Sequence, residues 1–340
     1  MGAWFGCELP NSFGDWQSEY RALRETVGLL DNNYRAYLEF SGPDRVRYLN
    51  AILTNNIKDL APNHGVESLF LSPQGHIQAE IETYALQESL FCVTYAMVRE
   101  QLVPALDKYI IMDDVTLTDR TGEFATLALE GPKAAAAFHQ VTGIDLASMV
   151  ELEMRDANVG ALDCRITKRS HGSVPGAEFL VASVKAEELW KSLDATVRRQ
   201  GGKPVGYQAL NTMRLELGIP WFGYDFGEKQ IPHEAGLQDT HISYTKGCYT
   251  GQEIVERVRS RGQVNRVRVR LKFEGVDKAL EPNTPLLAEG KEIGYVTRTG
   301  FSPGLGAWIG MGYVRREKSA EGTLLDLLNG RATVVPVPIA

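Results

Sequence analysis

Apolar and polar positions along this chain change period several times, and each change marks an element. Trp16, Tyr20, Leu23, Val27 and Leu30 recur at three- and four-residue intervals, so residues 15–30 are predicted to form an amphipathic helix. A strand is expected over 36–40. Pro43 then suits a first helical position, and Val46, Leu49, Ile52 and Leu53 supply the next apolar face. Alternation over 66–71 and 77–86, around Ser72-Pro73-Gln74-Gly75, predicts a hairpin. A third strand follows over 90–96 and a helix over 99–111, with Pro104 inside it. Further strands are expected near 115–117, 124–129, 151–159 and 161–167, an alanine-rich helix after Pro132, and a helix over 207–217. Residues 221–241 have no clear period and read as a loop-rich connection. After Val264, short strands separated by Pro and Gly predict a β-barrel or sandwich.

The chain's 340 residues exceed what one core usually spans, so two or three domains are expected. Hydrophobic residues at 44% and charged residues at 23% fit an ordinary globular protein. No apolar run approaches the ~18–20 residues that cross a bilayer, and residues 1–10 lack the basic and apolar regions of a signal peptide. A cytoplasmic protein with no membrane partner is the expectation. The net charge of −7 argues against broad nucleic-acid binding. Residues 254–272 run the other way, with seven basic residues and one acidic. Arg266, Arg268, Arg270 and Lys272 alternate with Val267, Val269, Leu271 and Phe273, which predicts a strand with one buried and one wet face.

Four cysteines stand far apart, at Cys7, Cys92, Cys164 and Cys248, with no C-x-x-C or Cys/His cluster for a metal. Cys92 and Cys164 sit in strand-like stretches and read as packed thiols. Cys248 differs. It lies in Lys246-Gly247-Cys248-Tyr249-Thr250-Gly251-Gln252-Glu253, where Thr250 and Glu253 fit a capping box. That would set Cys248 beside unpaired helix N–H groups and near Lys246, both of which favour thiolate. The plainer reading is a packed cysteine before an ordinary helix, and Glu253 reads as a cap rather than an acid catalyst. His233 and His241 become candidate bases only if the 221–241 connection folds back.

That octapeptide resembles the K-G-C-Y-x-G-Q-E signature of the YgfZ-type folate-binding proteins at every fixed position, and Ile231-Pro232-His233-Glu234-Ala235 resembles a motif that family carries upstream. Over nearly the whole chain there is likeness to that family's relative, the glycine-cleavage T-protein. Leu53-Thr54-Asn55-Asn56 is similar to its L-T-N-D stretch, Leu127-Ala128-Leu129-Glu130-Gly131-Pro132 to its L-A-L-x-G-P, and Arg214-Leu215-Glu216 with Gly218 to its R-L-E-x-G. The resemblance implies an α+β fold of three domains in a ring with a C-terminal β-barrel. The expected division is 1–48 plus 122–243 for a folate-binding domain, 49–121 for an inserted one, and 244–340 for the cysteine motif and barrel.

The resemblance also implies tetrahydrofolate, or a derivative, as cofactor, and iron–sulfur client proteins, including tRNA-modifying enzymes, as partners; a monomer suffices. It carries folate contacts to Arg214, Asn55, Tyr249 and Gln252. Arg257, Arg259 and Arg261 are candidates for an anionic folate tail. Two departures bear on activity. The T-protein has an acidic pair after its glycine hairpin, whereas Gly75-His76-Ile77-Gln78-Ala79-Glu80 keeps one acid, Glu80, at the second place. The T-protein's pterin-binding glutamate position is occupied here by Val174. The expectation is a tetrahydrofolate-binding accessory factor for iron–sulfur protein assembly or repair, working through Cys248 with Lys246. The alternatives are a folate-dependent aminomethyltransferase or demethylase using Glu80, and a folate-free interaction scaffold.

Overall fold

A computed structural model describes residues 1–336. The backbone gathers into two compact units. The first is Met1–Phe70, Ala79–Leu210 and His241–Tyr249; the second is Leu71–Gln78, Asn211–Thr240 and Thr250–Ala340. Among the described residues no helix is long and apolar enough to cross a membrane.

Alternation along the strands of the first unit gives its smaller sheet two unlike faces. The strand order is Gly65–Leu71, Ile77–Ala85, Leu90–Tyr95, Arg35–Ser41 and Thr116–Asp119. On one face Leu38, Phe40, Ala79, Ile81 and Cys92 pack against Leu49 and Ile52 of helix Arg45–Ile52 and Leu102 and Leu106 of helix Arg99–Asp107. On the other, Tyr37, Tyr84, Phe91 and Val93 cluster with Leu152, Met154 and Leu180. The last two belong to a six-stranded sheet ordered Met154–Val159, Leu162–Lys168, Gly176–Ala182, Phe124–Glu130, Gly28–Asp31 and Lys203–Pro204. Only its final pairing is parallel. Helices Ala134–Thr142 and Ala186–Arg199 cover that sheet through Phe138, Leu189, Leu193 and Val197. Two sheets therefore face one another, and residues at alternate strand positions are shut between them.

The first helix is shorter than its period suggests. It ends at Glu25, and Gly28–Asp31 is a strand paired with Phe124–Glu130. Val27 and Leu30 keep helical spacing by coincidence, because Leu29, also fully buried, belongs to the sheet core. The helix at 99 likewise stops at Asp107.

In the second unit, strands Arg266–Glu274, Ala307–Arg315, Lys291–Ser302, Pro285–Ala288, Leu324–Leu327 and Gly330–Val335 close into a barrel in that order. Leu271, Phe273, Leu286, Val296, Val314, Leu325 and Val334 fill it. Closure leaves no unpaired sheet edge. The basic side of Arg266–Glu274 is the wet face that its alternation predicts at exposed Arg266 but not in the middle of the strand. Arg268 donates to the carbonyls of Ala235 and Gly218, at 2.9 and 3.2 Å, and buried Arg270 donates to Glu216 O at 3.3 Å. The carbonyl-rich end of helix Tyr207–Leu217 is a favourable place for cations. The 221–241 connection contains one short helix, Pro232–Ala235, with Glu234 accepting from Ile231 N at 3.2 Å.

Candidate functional site

Between the two sheets of the first unit, strand alternation brings charged residues together in a buried chain. Arg35 lies 2.5 Å from Glu178 and 3.1 Å from Glu82; Arg169 lies 3.0 Å from Glu82 and 2.7 Å from Glu67. Tyr84 donates to Glu82 at 2.8 Å and Asn32 to Glu178 at 3.0 Å. A buried carboxylate is costly unless paired and hydrogen-bonded, and these are. Burial pushes the Glu82 carboxyl up, but Arg169 and Arg35 outweigh it and hold it at about 2. Burial also works against the charges on Arg35 and Arg169, yet their flanking carboxylates keep both above the ordinary arginine value.

Glu80 ends this chain. It stands on the same strand as Glu82, on the face opposite Ala79 and Ile81, but it is half-buried rather than wet. Its Oε1 lies 2.9 Å from His241 Nε2, its Oε2 accepts from Tyr95 Oη at 3.0 Å, and its carbonyl accepts from Thr94 at 2.7 Å. Glu67 Oε2 is 3.9 Å from the same imidazole nitrogen. Burial lowers the pKa of His241, but the Glu80 hydrogen bond and the charges of Glu80 and Glu67 raise it above the ordinary value. Beside the cluster, Phe5, Tyr34 and Tyr95 form an aromatic group, with Phe5–Tyr34 centroids 4.4 Å apart and Tyr34–Tyr95 centroids 5.5 Å apart.

Thr54 explains how His241 reaches this place. Its buried Oγ1 accepts from Leu69 N at 2.8 Å and donates to His241 O at 2.6 Å, while Ser243 N donates to Thr54 O at 3.1 Å. The L-T-N stretch is thus a clamp that fastens 241–243 onto strand Gly65–Leu71. Asn55 braces the same strand, donating to Glu67 O at 2.8 Å.

Cys248 is the exposed cysteine; Cys92 and Cys164 are buried, and burial pushes their thiols up to about 12 and about 11. The capping box expected around it does not form. Helix Gln252–Arg261 has Gly251 as its N-cap, at φ 80°, with no side-chain cap, and Thr250 lies outside it. A Cβ on Gly251 would stand 2.7 Å from Ser72 O, so the close approach selects glycine. Lys246 is also engaged: Nζ donates to the carbonyls of Asn50, Leu53 and Asn55 at 2.6, 2.5 and 2.9 Å. It caps the C-terminal end of helix Arg45–Ile52. Burial pulls this ammonium down to about 8, while all three carbonyls accept from its charged form. Tyr249 is buried, with Lys246 Nζ 5.2 Å from its ring centre.

Arg214 is fully buried in the second unit. It pairs with Asp225, donates to Asn211 Oδ1 at 2.8 and 3.1 Å and to Ile219 O at 3.2 Å, and lies over the Trp221 ring at 4.4 Å. Every nitrogen of the guanidinium has a protein partner. The folate contact that the resemblance gives to Arg214 is taken up by this ion pair with Asp225; the neighbouring Glu216 accepts from Ser302 at 2.5 Å. Arg257 and Arg259 are exposed on helix Gln252–Arg261, Arg259 3.6 Å from Glu256, and Gln252 opens that helix. The side chain of Arg261 lies outside the described residues.

Sequence reading did not single out Arg35, Glu67, Glu82, Tyr95, Arg169 or Glu178. The available signal was the acid at every second position of Glu80-Ile81-Glu82, which looks identical for a wet face and for a face under another sheet. Donor atoms of Glu67, Glu80 and His241 all lie within 4.8 Å of one another, a spacing a divalent cation uses. Arg169 already supplies the positive charge at Glu67 and the imidazole engages Glu80, so the cluster reads as the end of an ion-pair chain.

A two-sheet α/β unit and a closed six-stranded barrel define the T-protein fold. The GCVT N-terminal domain matches residues 1–244 and the glycine cleavage T-protein C-terminal barrel domain matches residues 266–339, so the chain belongs to the glycine cleavage T-protein family. Proteins named aminomethyltransferase from Desulfitobacterium hafniense and Rubrobacter xylanophilus are 27% and 28% identical to it, over 96% and 98% of this chain and 89% and 88% of theirs. The crystal structure of glycine cleavage system aminomethyltransferase T from Bartonella henselae shares the fold with a TM-score of 0.87 at 23% identity, covering 100% of this chain and 93% of that one. Members of the family use tetrahydrofolate as substrate or cofactor.

Proposed function

We propose that this protein binds tetrahydrofolate and acts on its one-carbon unit, as a folate-dependent transferase of the aminomethyltransferase type, with Glu80 as the carboxylate that meets the folate. The observation that carries the reading is the double hold on Glu80, one oxygen by His241 and the other by Tyr95. A carboxylate fixed in this way is preorganised to accept a proton or hydrogen bond from a folate N–H. The aromatic rings of Tyr34 and Tyr95 offer flat surface of the kind a pterin stacks on. The names of the relatives support the same chemistry. Titration calorimetry with tetrahydrofolate should give saturable binding, and the protein should form methylene-tetrahydrofolate from an aminomethyl donor. Glu80→Gln should lower that turnover by about 100-fold or more, the usual contribution of a general acid–base group. Binding without turnover for any amine donor would remove the transferase reading.

A second reading keeps the folate and gives the work to Cys248, in iron–sulfur protein assembly or repair as in the YgfZ-type proteins. It is favoured by the exposure of Cys248 and by the octapeptide around it. Under it, Cys248→Ser should abolish rescue of iron–sulfur enzyme activity in a deficient cell, while Glu80→Gln turnover is irrelevant. Full rescue by the serine variant would dismiss it.

A further inference from the structure

We propose that His241, as imidazolium, is the positioning residue that holds Glu80 for the folate, so that loss of its proton releases the carboxylate and weakens folate binding. This rests on the reading that tetrahydrofolate meets Glu80. Three features of the first unit carry it.

One imidazole nitrogen faces two carboxylates. His241 Nε2 is 2.9 Å from Glu80 and 3.9 Å from Glu67. With the proton present, a positive charge offsets two like charges that converge on it. Without it, two carboxylates stand beside the same uncharged nitrogen in a partly buried place, where repulsion between like charges is strong. Glu67 has a second cation, Arg169, at 2.7 Å, so it stays in place. The other side-chain partner of the Glu80 carboxylate is the neutral Tyr95 hydroxyl. Glu80 is therefore the member of the pair whose hold on the site depends on the imidazolium.

The backbone of His241 is anchored. Its carbonyl is tied to Thr54 Oγ1, and Thr54 is in turn tied to Leu69 N. The segment after it is held by Ser243 N on Thr54 O. The clamp thus fixes the backbone from which the imidazole reaches Glu80.

The charges that face the ring set the direction. Glu80 and Glu67, from neighbouring strands, favour the imidazolium, and Arg169 opposes it. Burial also opposes it, and the carboxylates prevail. The titration then falls above the ordinary histidine value of about 6.5.

The test is tetrahydrofolate affinity by calorimetry on the full chain across about pH 6 to 9. If only the imidazolium form is competent, apparent Kd rises about tenfold per pH unit above the imidazole pKa, because the competent fraction falls at that rate. His241→Gln, which keeps a donor and removes the titration, should bind weakly with a flat profile. Tyr95→Phe removes the other hold and should weaken binding at every pH while leaving the inflection in place. Wild-type protein that binds with a flat profile, or a His241→Gln profile parallel to wild type, overturns the inference and leaves the folate reading intact. Wild-type protein that does not bind at any pH overturns both. If His241→Gln fails to fold, the wild-type and Tyr95→Phe profiles still decide.

Discussion

His241 Nε2 and Glu80 Oε1 meet at 2.9 Å although 161 residues separate them in the chain. The contact gives the first unit a pH-dependent element with a definite sign. A histidine whose pKa is raised on folding stabilises the folded state fully below its unfolded pKa of about 6.5, and that contribution is lost as pH rises through the folded value. Chemical denaturation should therefore show wild-type stability falling from about pH 6 towards pH 9, and the gap between wild type and His241→Gln should narrow over the same range. A constant gap would mean that the histidine does not titrate there.

Glu82 gives the opposite sign. Its pKa is held at about 2 by Arg169 and Arg35, against the cost of burial. It contributes stability above the unfolded value of about 4.3, and that contribution is lost as pH falls through the folded value. Glu82→Gln leaves two buried guanidiniums short of a partner and should cost about 3–5 kcal/mol near neutrality. In denaturation series from neutral pH to about pH 3, the deficit of the variant should shrink as acid is added.

The Thr54 clamp can be tested without touching a charge. Thr54→Val preserves shape and removes the hydroxyl that joins Leu69 N and His241 O. Leaving buried groups unsatisfied costs about 1–3 kcal/mol, and Thr54→Ser should recover most of it. Equal urea midpoints for the valine and serine variants would count against the clamp.

In the second unit, Asp225 is the counter-charge of Arg214 and also accepts from Thr297 at 2.6 Å and Trp221 N at 2.9 Å. Asp225→Ala should destabilise by about 3–5 kcal/mol, because it leaves a buried cation unpaired. A thermal melt that barely moves would show that water or a rearranged acid replaces the carboxylate.

Thiol accessibility gives a quick check on the cysteines. In native protein Cys248 should react promptly with an aromatic disulfide reagent, and Cys92 and Cys164 only after unfolding. Cys248→Ser should change stability by no more than about 0.5 kcal/mol, as expected for an exposed position. Labelling of all four thiols at one rate would mean that the unit opens as a whole.

Local order was set by local chemistry and could be read from it. The hairpin around Ser72–Gly75, the helix over 207–217 and the change to β-structure after Val264 follow from period, turn residues and punctuation, which act between near neighbours. The motifs around Cys248, Leu53 and Arg214 carried the family likeness, because they are contiguous. Partnerships were another matter. Arg270 and Glu82 have the alternation of wet-face residues, and only the layers laid over them made them buried. Arg214 could pair with several acids by spacing, and Asp225 was chosen by a turn that no period announces. Lys246 stood near Cys248 in the sequence, yet its charge went to a helix end about 190 residues upstream, since three carbonyls solvate an ammonium better than one thiol does. Strand alternation says which side chains share a face. What lies across from that face is decided by long-range packing, and there the charges of this protein found their partners.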